Sequence, residues 1–159
     1  MPISTEQPTS PQGETRLAPH RILRELIRTT FAVRRRFDAE MKAHGITGQQ
    51  YNVLRILRGA DGPLPTMDVA ERMIEPEPGI TRMIRRLEKK EFVARHPCPD
   101  DARRTLCALT HQGQRVLDEL DGPIAQTSEH LVGDLTPELI EGVLEALERV
   151  WSRATLDES

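Results

Sequence analysis

Hydrophobic positions along this chain recur mostly at steps of three and four. From Pro19 onward, Leu23, Leu26, Ile27, Phe31, Phe37 and Met41 keep that spacing with basic residues between them. The pattern predicts a long amphipathic helix that stops at Gly45. Tyr51, Val53, Leu54, Ile56 and Leu57 predict a second helix over about 48–58, closed by the turn cluster GADGPLP. Thr66 suits the N-cap of a short third helix, MDVAERMI, after which EPEPG intervenes; Pro76 and Pro78 cannot both lie inside one helix without broken hydrogen bonds. GITRMIRRLEKK predicts a fourth helix. The runs 92–96 and 105–109 that follow are short and β-compatible, so PCPDDARR reads as the loop of a hairpin. A long helix over about 110–130 comes next, interrupted or bent near Gly122-Pro123. In the last segment, LTPELIEGVLEALERVW, Thr136 is the N-cap, Pro137 the first helical residue and Glu138 an acid in the first turn. Its stripe is Ile140, Val143, Leu147 and Val150, widened by Leu139, Leu144 and Trp151.

On a helical wheel at roughly 100° per residue, the fourth helix divides cleanly. Ile80, Met83, Ile84 and Leu87 share one face. Pro78, Arg82, Arg85 and Lys89 lie opposite, flanked by Thr81 and Arg86, with Gly79 at the helix start. An ordinary surface helix can look like this. A short helix, a tight break and a basic second helix nevertheless make a helix-turn-helix, and the hairpin after it makes a wing. Arginine on the outer face supplies paired donors that match guanine O6 and N7, and threonine can meet a base edge or the thymine methyl. In the hairpin loop, Arg103, with Arg104 beside it, sits where a cation reaches a narrow minor groove. Asp101 can accept a hydrogen bond from that arginine side chain or from loop backbone and hold it in shape. The plainer reading of Asp101 and Arg103 is an exposed ion pair, typically ~0–1 kcal/mol.

Charge changes the picture more by its distribution than by its sum. The formal net charge is −3 over 159 residues. Between Arg82 and Arg104 there are eight Lys/Arg against four acids, whereas Val116 to the end holds eleven acids and two arginines. A basic segment on an acidic body is what local phosphate attraction requires. The length suits one domain with a real core. No apolar run approaches the ~20 residues of a bilayer span. The N-terminal MPISTEQPTSPQGETRLAP lacks the basic start and apolar middle of a secretion signal and reads as a disordered arm.

In order and spacing these segments resemble MarR-type regulators, the multiple-antibiotic-resistance family of dimeric winged-helix transcription factors. TMDVAERMI is similar to the family's first reading helix and GITRMIRRLEKK to its recognition helix, with Thr81 and Arg82 on its Thr-Arg. DDARRTLCALTHQG resembles its wing: Asp101 and Arg103 fall on an Asp-x-Arg element, with Leu-Thr six residues after the arginine and a Gly shortly beyond. The family often has Gly where Glu91 stands, a serine-rich turn where Pro76 and Pro78 stand, and a third charge where Ala102 stands.

The resemblance implies a mainly α fold with a small two-stranded β wing: a winged helix-turn-helix lobe at 46–110, and N- and C-terminal helices at 19–45 and 111–155 forming a dimerisation layer. Residues 1–18 would be the disordered arm and 156–159 a tail. It further implies a cytoplasmic homodimer on double-stranded DNA, reading a pseudo-palindromic operator as a ligand-responsive repressor. Its small aromatic or anionic effector would sit in a crevice for which His20, Arg24, Tyr51 and Leu54 are candidates by position.

Other chemistry finds little support. The two cysteines, Cys98 and Cys107, make no CxxC pair, and with His96 and Asp100 they lack zinc spacing. In a hairpin they sit ~10 Å apart along the ribbon, too far for a disulfide. Cys107 suits the core, and thiol-based redox regulation would rest on Cys98 being exposed. No Ser-His-Asp or paired-carboxylate arrangement is visible, so no enzyme, metal or cofactor is expected. A winged-helix module for protein contacts is the remaining alternative; its wing would favour aromatics over arginine.

Overall fold

The computed structural model describes residues 11–101 and 103–155. Among the described residues, six helices and three short strands follow one another as α1 (Pro11–Ala43), α2 (Gly48–Arg58), β1 (Leu64–Pro65), α3 (Thr66–Glu71), α4 (Ile80–Lys89), β2 (Val93–Pro97), β3 (Thr105–Leu109), α5 (His111–Val132) and α6 (Pro137–Thr155). The strands form one antiparallel sheet in the order β1-β3-β2. Register runs from Val93 opposite Leu109 to Pro97 opposite Thr105.

Local chemistry explains where most elements begin and end. Thr47 opens α2 with a capping box: its hydroxyl accepts from Gln50 N (3.3 Å) and Gln50 Oε1 accepts from Thr47 N (3.3 Å). Thr110 opens α5 by accepting from Gly113 N at 3.0 Å, and Thr136 opens α6 by accepting from Leu139 N at 3.3 Å. The core lies between α2, α4, α5 and the sheet. Val53, Leu54, Val69, Ile84, Leu87, Val93, Cys107, Leu117 and Leu120 are its fully buried side chains. Arg58 at the end of α2 clasps Asp121 of α5 through two hydrogen bonds, 2.8 and 2.9 Å. That hydrogen bond holds the Asp121 carboxyl below the usual carboxylate range.

Several expectations need correction. The first helix begins at Pro11, so Pro19 lies inside it rather than at its start. Residues 11–18 are therefore helical and not an arm, while 1–10 and the proposed tail lie outside the described residues. Thr66 is not the N-cap of α3. It is the first helical residue, Pro65 holds the cap position, and the Thr66 hydroxyl instead donates to Thr105 O at 3.3 Å. α3 ends at Glu71, short of the apolar pattern, and β2 begins at Val93 rather than Phe92. The two-stranded wing gains a third strand, because Leu64 and Pro65 pair with Cys107 and Leu106. α5 runs as one helix through Gly122 and Pro123.

The end of α4 answers the question posed by Glu91. Glu91 has φ 60°, the left-handed region. Phe92 N donates to Leu87 O (3.0 Å) and Glu91 N to Glu88 O (2.9 Å). These two bonds form a Schellman motif, whose left-handed position glycine fills without a Cβ penalty. Glu91 is exposed, and its carbonyl accepts from the Thr110 hydroxyl at 2.6 Å, a bond glycine would keep. Glu91→Gly is therefore expected to stabilise the protein by about 0.5–1 kcal/mol, the left-handed penalty less the greater freedom of glycine when unfolded. A melting temperature unchanged or lowered by this substitution would contradict that account.

Candidate nucleic-acid interface

The amphipathic division of α4 is realised in space. Ile80, Met83, Ile84 and Leu87 are buried, whereas Thr81, Arg82, Arg85, Arg86 and Lys89 are exposed along one side of the helix. Among the described residues, none of Arg82, Arg85, Arg86 or Lys89 is paired with a carboxylate. Pro78 is exposed just ahead of the helix, and Gly79 N donates to Glu77 Oε1 at 3.0 Å. Four cations from Arg82 to Lys89 thus present their donors to solvent.

The hairpin between β2 and β3 carries a second cation. Arg103 is 93% exposed, and Asp101 Oδ1 accepts from both its backbone N (3.0 Å) and its Nε (3.3 Å). One carboxylate oxygen therefore folds the loop and aims the guanidinium, as the Asp-x-Arg spacing suggested. The loop closes with Cys98 N donating to Arg104 O (3.0 Å) and Arg104 N to Asp101 O (2.9 Å). Arg104 has a different task from Arg103. Its guanidinium donates to Asp68 Oδ1 at 3.3 Å and ties the wing to α3. At the wing's base, Arg95 of β2 donates to Glu88 of α4 at 3.0 Å.

The remaining candidates separate. Leu54 is fully buried in the core and so lines no crevice in the protomer, whereas Tyr51 is half-buried on α2. His20 and Arg24 are exposed on the early part of α1, where Arg24 pairs with Glu25 at 3.1 Å. At 1.5 Å per residue, the 17 positions from His20 to Phe37, the part of α1 packed on the core, span roughly 25 Å. One protomer therefore does not bring these four side chains together. Cys107 is buried opposite Arg95, and burial raises its thiol pKa, whereas Cys98 is half-buried beyond the end of β2. The register keeps the thiols apart. Among the described residues, no group of three or more His, Cys, Asp or Glu is placed to hold a metal ion, and no helix is long and apolar enough to cross a membrane.

The sequence reading passed over the contacts that fix α4 from behind. Asn52 Oδ1 accepts from Ile74 N at 3.0 Å, Arg34 pairs with Glu75, and Lys90 Nζ donates to Gly45 O. Only long-range geometry exposes these contacts, because their partners lie 22, 41 and 45 positions apart along the chain.

A helix-turn-helix joined to a hairpin with an oriented arginine at its tip defines a winged helix-turn-helix protein. The chain matches the model of the MarR family over residues 46–105. It is 27% identical over 111 residues to the HTH-type transcriptional regulator MhqR of Bacillus subtilis (strain 168), covering 70% of this chain and 76% of that one. It is also 27% identical over 113 residues to the homoprotocatechuate degradative operon repressor of Escherichia coli, covering 70% and 75%. Among solved structures, a MarR-like transcription regulator from Bacillus cereus ATCC 10987 matches at 25% identity with a TM-score of 0.72, over 86% of this chain and 98% of the other. The family consists of DNA-binding transcription regulators and not of enzymes.

Proposed function

We propose that this protein is a homodimeric, ligand-responsive repressor that reads a pseudo-palindromic operator in the cytoplasm. The observation that carries the reading is the pairing of two cationic elements: the carboxylate-free outer face of α4, and Arg103 held by Asp101 at the wing tip. In this reading Thr81, Arg82 and Arg85 meet base edges, while Arg86 and Lys89 bind phosphates and Arg103 enters the minor groove. A two-fold dimer would set its half-sites about one helical turn, ~10 bp, apart.

Support for the dimer comes from α6, which has no buried residue although Leu139, Val143, Leu144, Leu147 and Trp151 stand along it. Support for the repressor comes from the homoprotocatechuate operon repressor, which is so named. A small anionic or aromatic effector would act by shifting the spacing of the two recognition helices. A crevice of about 360 Å³, between α1, the start of α2 and residues 73–75, has the size for such a molecule, with Arg34, Asp38 and Glu75 on its wall, the first and last paired with each other.

Footprinting of the purified protein on DNA flanking its own gene tests the proposal, with Arg103→Ala and Asp101→Ala alongside. A protected two-fold site is expected. Arg103→Ala should weaken binding about tenfold or more, through loss of a groove contact in each protomer. Asp101→Ala should cost less, about three- to tenfold, since the arginine remains but must be ordered on binding. Absence of protection at low salt would refute DNA reading, and equal binding by all three proteins would refute the role given to the wing.

A further inference from the structure

Lys89 and Lys90 are adjacent, and both continue the basic row of the recognition helix. The structure gives them different work. Lys89 is exposed on the outer face. Lys90, at the C-cap of α4, turns back into the protein, where its Nζ donates to Gly45 O and lies 3.4 Å from Gln50 Oε1. We propose that Lys90 is a positioning residue: it locks the recognition helix to the junction of α1 and α2, and sequence-selective reading depends on that lock. The inference rests on the DNA-reading function proposed above.

The junction is itself well fixed. α1 ends in a Schellman motif, with Ile46 N donating to Met41 O (3.2 Å) and Gly45 N to Lys42 O (3.0 Å), and Gly45 takes φ 69°. Gln50 is 6% exposed and already serves the capping box of α2. The Lys90 ammonium therefore touches the stop of one helix and the start of the next. To reach a phosphate it would have to leave both acceptors.

The segment that leads into α4 is held from the same frame. Asn52 of α2 accepts from Ile74 N at 3.0 Å, and Arg34 of α1 pairs with Glu75, in the segment leading into α4. The recognition helix is thus tied to α1 and α2 at its C-cap, and the segment before it is tied to them as well, through side chains other than those on its outer face. A reading helix must hold several base contacts in register at once, and a small displacement weakens them all. Contact with phosphates along a uniform backbone tolerates such a shift.

Salt dependence separates the two roles. A phosphate-binding lysine contributes to the slope of log affinity against log salt and acts alike on every sequence, whereas a positioning residue acts on the specific complex. Full-length wild type, Lys89→Met, Lys90→Met and Asn52→Ala would be titrated from about 50 to 200 mM salt. The probes are the footprinted duplex and a scrambled duplex of equal length. Methionine keeps the apolar stem of lysine, and Asn52→Ala changes no charge.

Lys89→Met should lower the slope by about 1 per protomer and weaken both duplexes. Lys90→Met and Asn52→Ala should weaken the footprinted duplex about three- to tenfold, with unchanged slope and unchanged affinity for the scrambled one. A slope that falls in Lys90→Met as in Lys89→Met makes Lys90 a phosphate contact and overturns the proposal. So does unchanged affinity for the footprinted duplex in Lys90→Met. If wild type binds neither duplex, the DNA-reading function fails, and the lock with it. If Lys89→Met responds and Lys90→Met does not, the lock alone fails.

Discussion

Gly113→Ala is expected to lower the melting temperature by roughly 3–10 °C, while Gly142→Ala in α6 raises it. The opposite signs follow from what each new methyl would meet. At Gly113 a Cβ would lie 2.3 Å from Phe92 O and 2.7 Å from Leu109 Cδ1, and the first of these is backbone that cannot swing aside. Phe92 O is also the acceptor of Thr110 N at 3.1 Å, so α5 begins pressed against the residue that leads into β2. Forcing a methyl into that joint pushes the wing away from α5, and overpacking of this kind costs about 1–3 kcal/mol, occasionally more. At 2–4 °C per kcal/mol for a chain of this size, the loss is readily measured. At Gly142 a Cβ meets nothing within 4 Å and lies inside α6, so alanine gains up to about 1 kcal/mol of helix propensity. Thermal unfolding followed by circular dichroism reads both variants. If Gly113→Ala melts no lower than wild type, the joint is softer than its geometry indicates.

That joint also shows what a sequence can reveal. The Gly shortly after Leu-Thr stood out as part of a resemblance, with no physical reason attached; the reason is Phe92 O, twenty-one positions earlier. The faces of α4 were legible because a helix repeats every 3.6 residues, and ten residues suffice to separate Ile80, Ile84 and Leu87 from Arg82, Arg85 and Lys89. The bonds of Asp101 to Arg103 were legible because they are local, closing over two positions. The start of α6 was legible for the same reason: Thr136, Pro137 and Glu138 act within one turn.

What escaped is non-local or too short to have a period. β1 has two residues, Leu64 and Pro65, and becomes a strand only because β3 is beside it. Thr66 looked like a cap by its type, but Thr105 O, 39 positions away, competes for its hydroxyl. Arg104 and Lys90 looked like more of the same basic surface as Arg103 and Lys89. Asp68 and Gly45 give them partners within the chain, and neither partner is visible from the neighbouring sequence. A charge count does not separate cations that face solvent alone from those, such as Arg95, Arg104 and Lys90, that hold a partner.

Leu144→Glu is expected to convert the protein to a monomer and to reduce operator affinity by about 10²–10⁴-fold, the advantage that linking two half-site contacts confers. α6 spans nineteen residues, all of them outside the core. A helix with so little cover draws scant stability from its own hydrogen bonds, because most helical stability in proteins comes from packing an apolar face. α6 has such a face: Leu144 is 60% and Trp151 61% exposed, and Ile27 and Phe31 of α1 are similarly bare. Val143 and Leu147 border a groove of about 740 Å³ against Ile22, Leu26 and Val33 of α1, open enough to receive another helix. In the proposed dimer a second copy of the chain would supply the missing cover from the same surfaces, as a two-fold interface requires. A carboxylate at position 144 would sit on that apolar face one turn before Glu148, where burial and like charge both oppose association. Glu145→Ala, on the side of α6 opposite Leu147, serves as the control and should leave assembly intact. Sedimentation equilibrium gives the mass, and titration of the footprinted duplex gives the affinity. A wild type that sediments as a monomer, or a Leu144→Glu protein that remains a dimer, would mean that α6 is covered by something else.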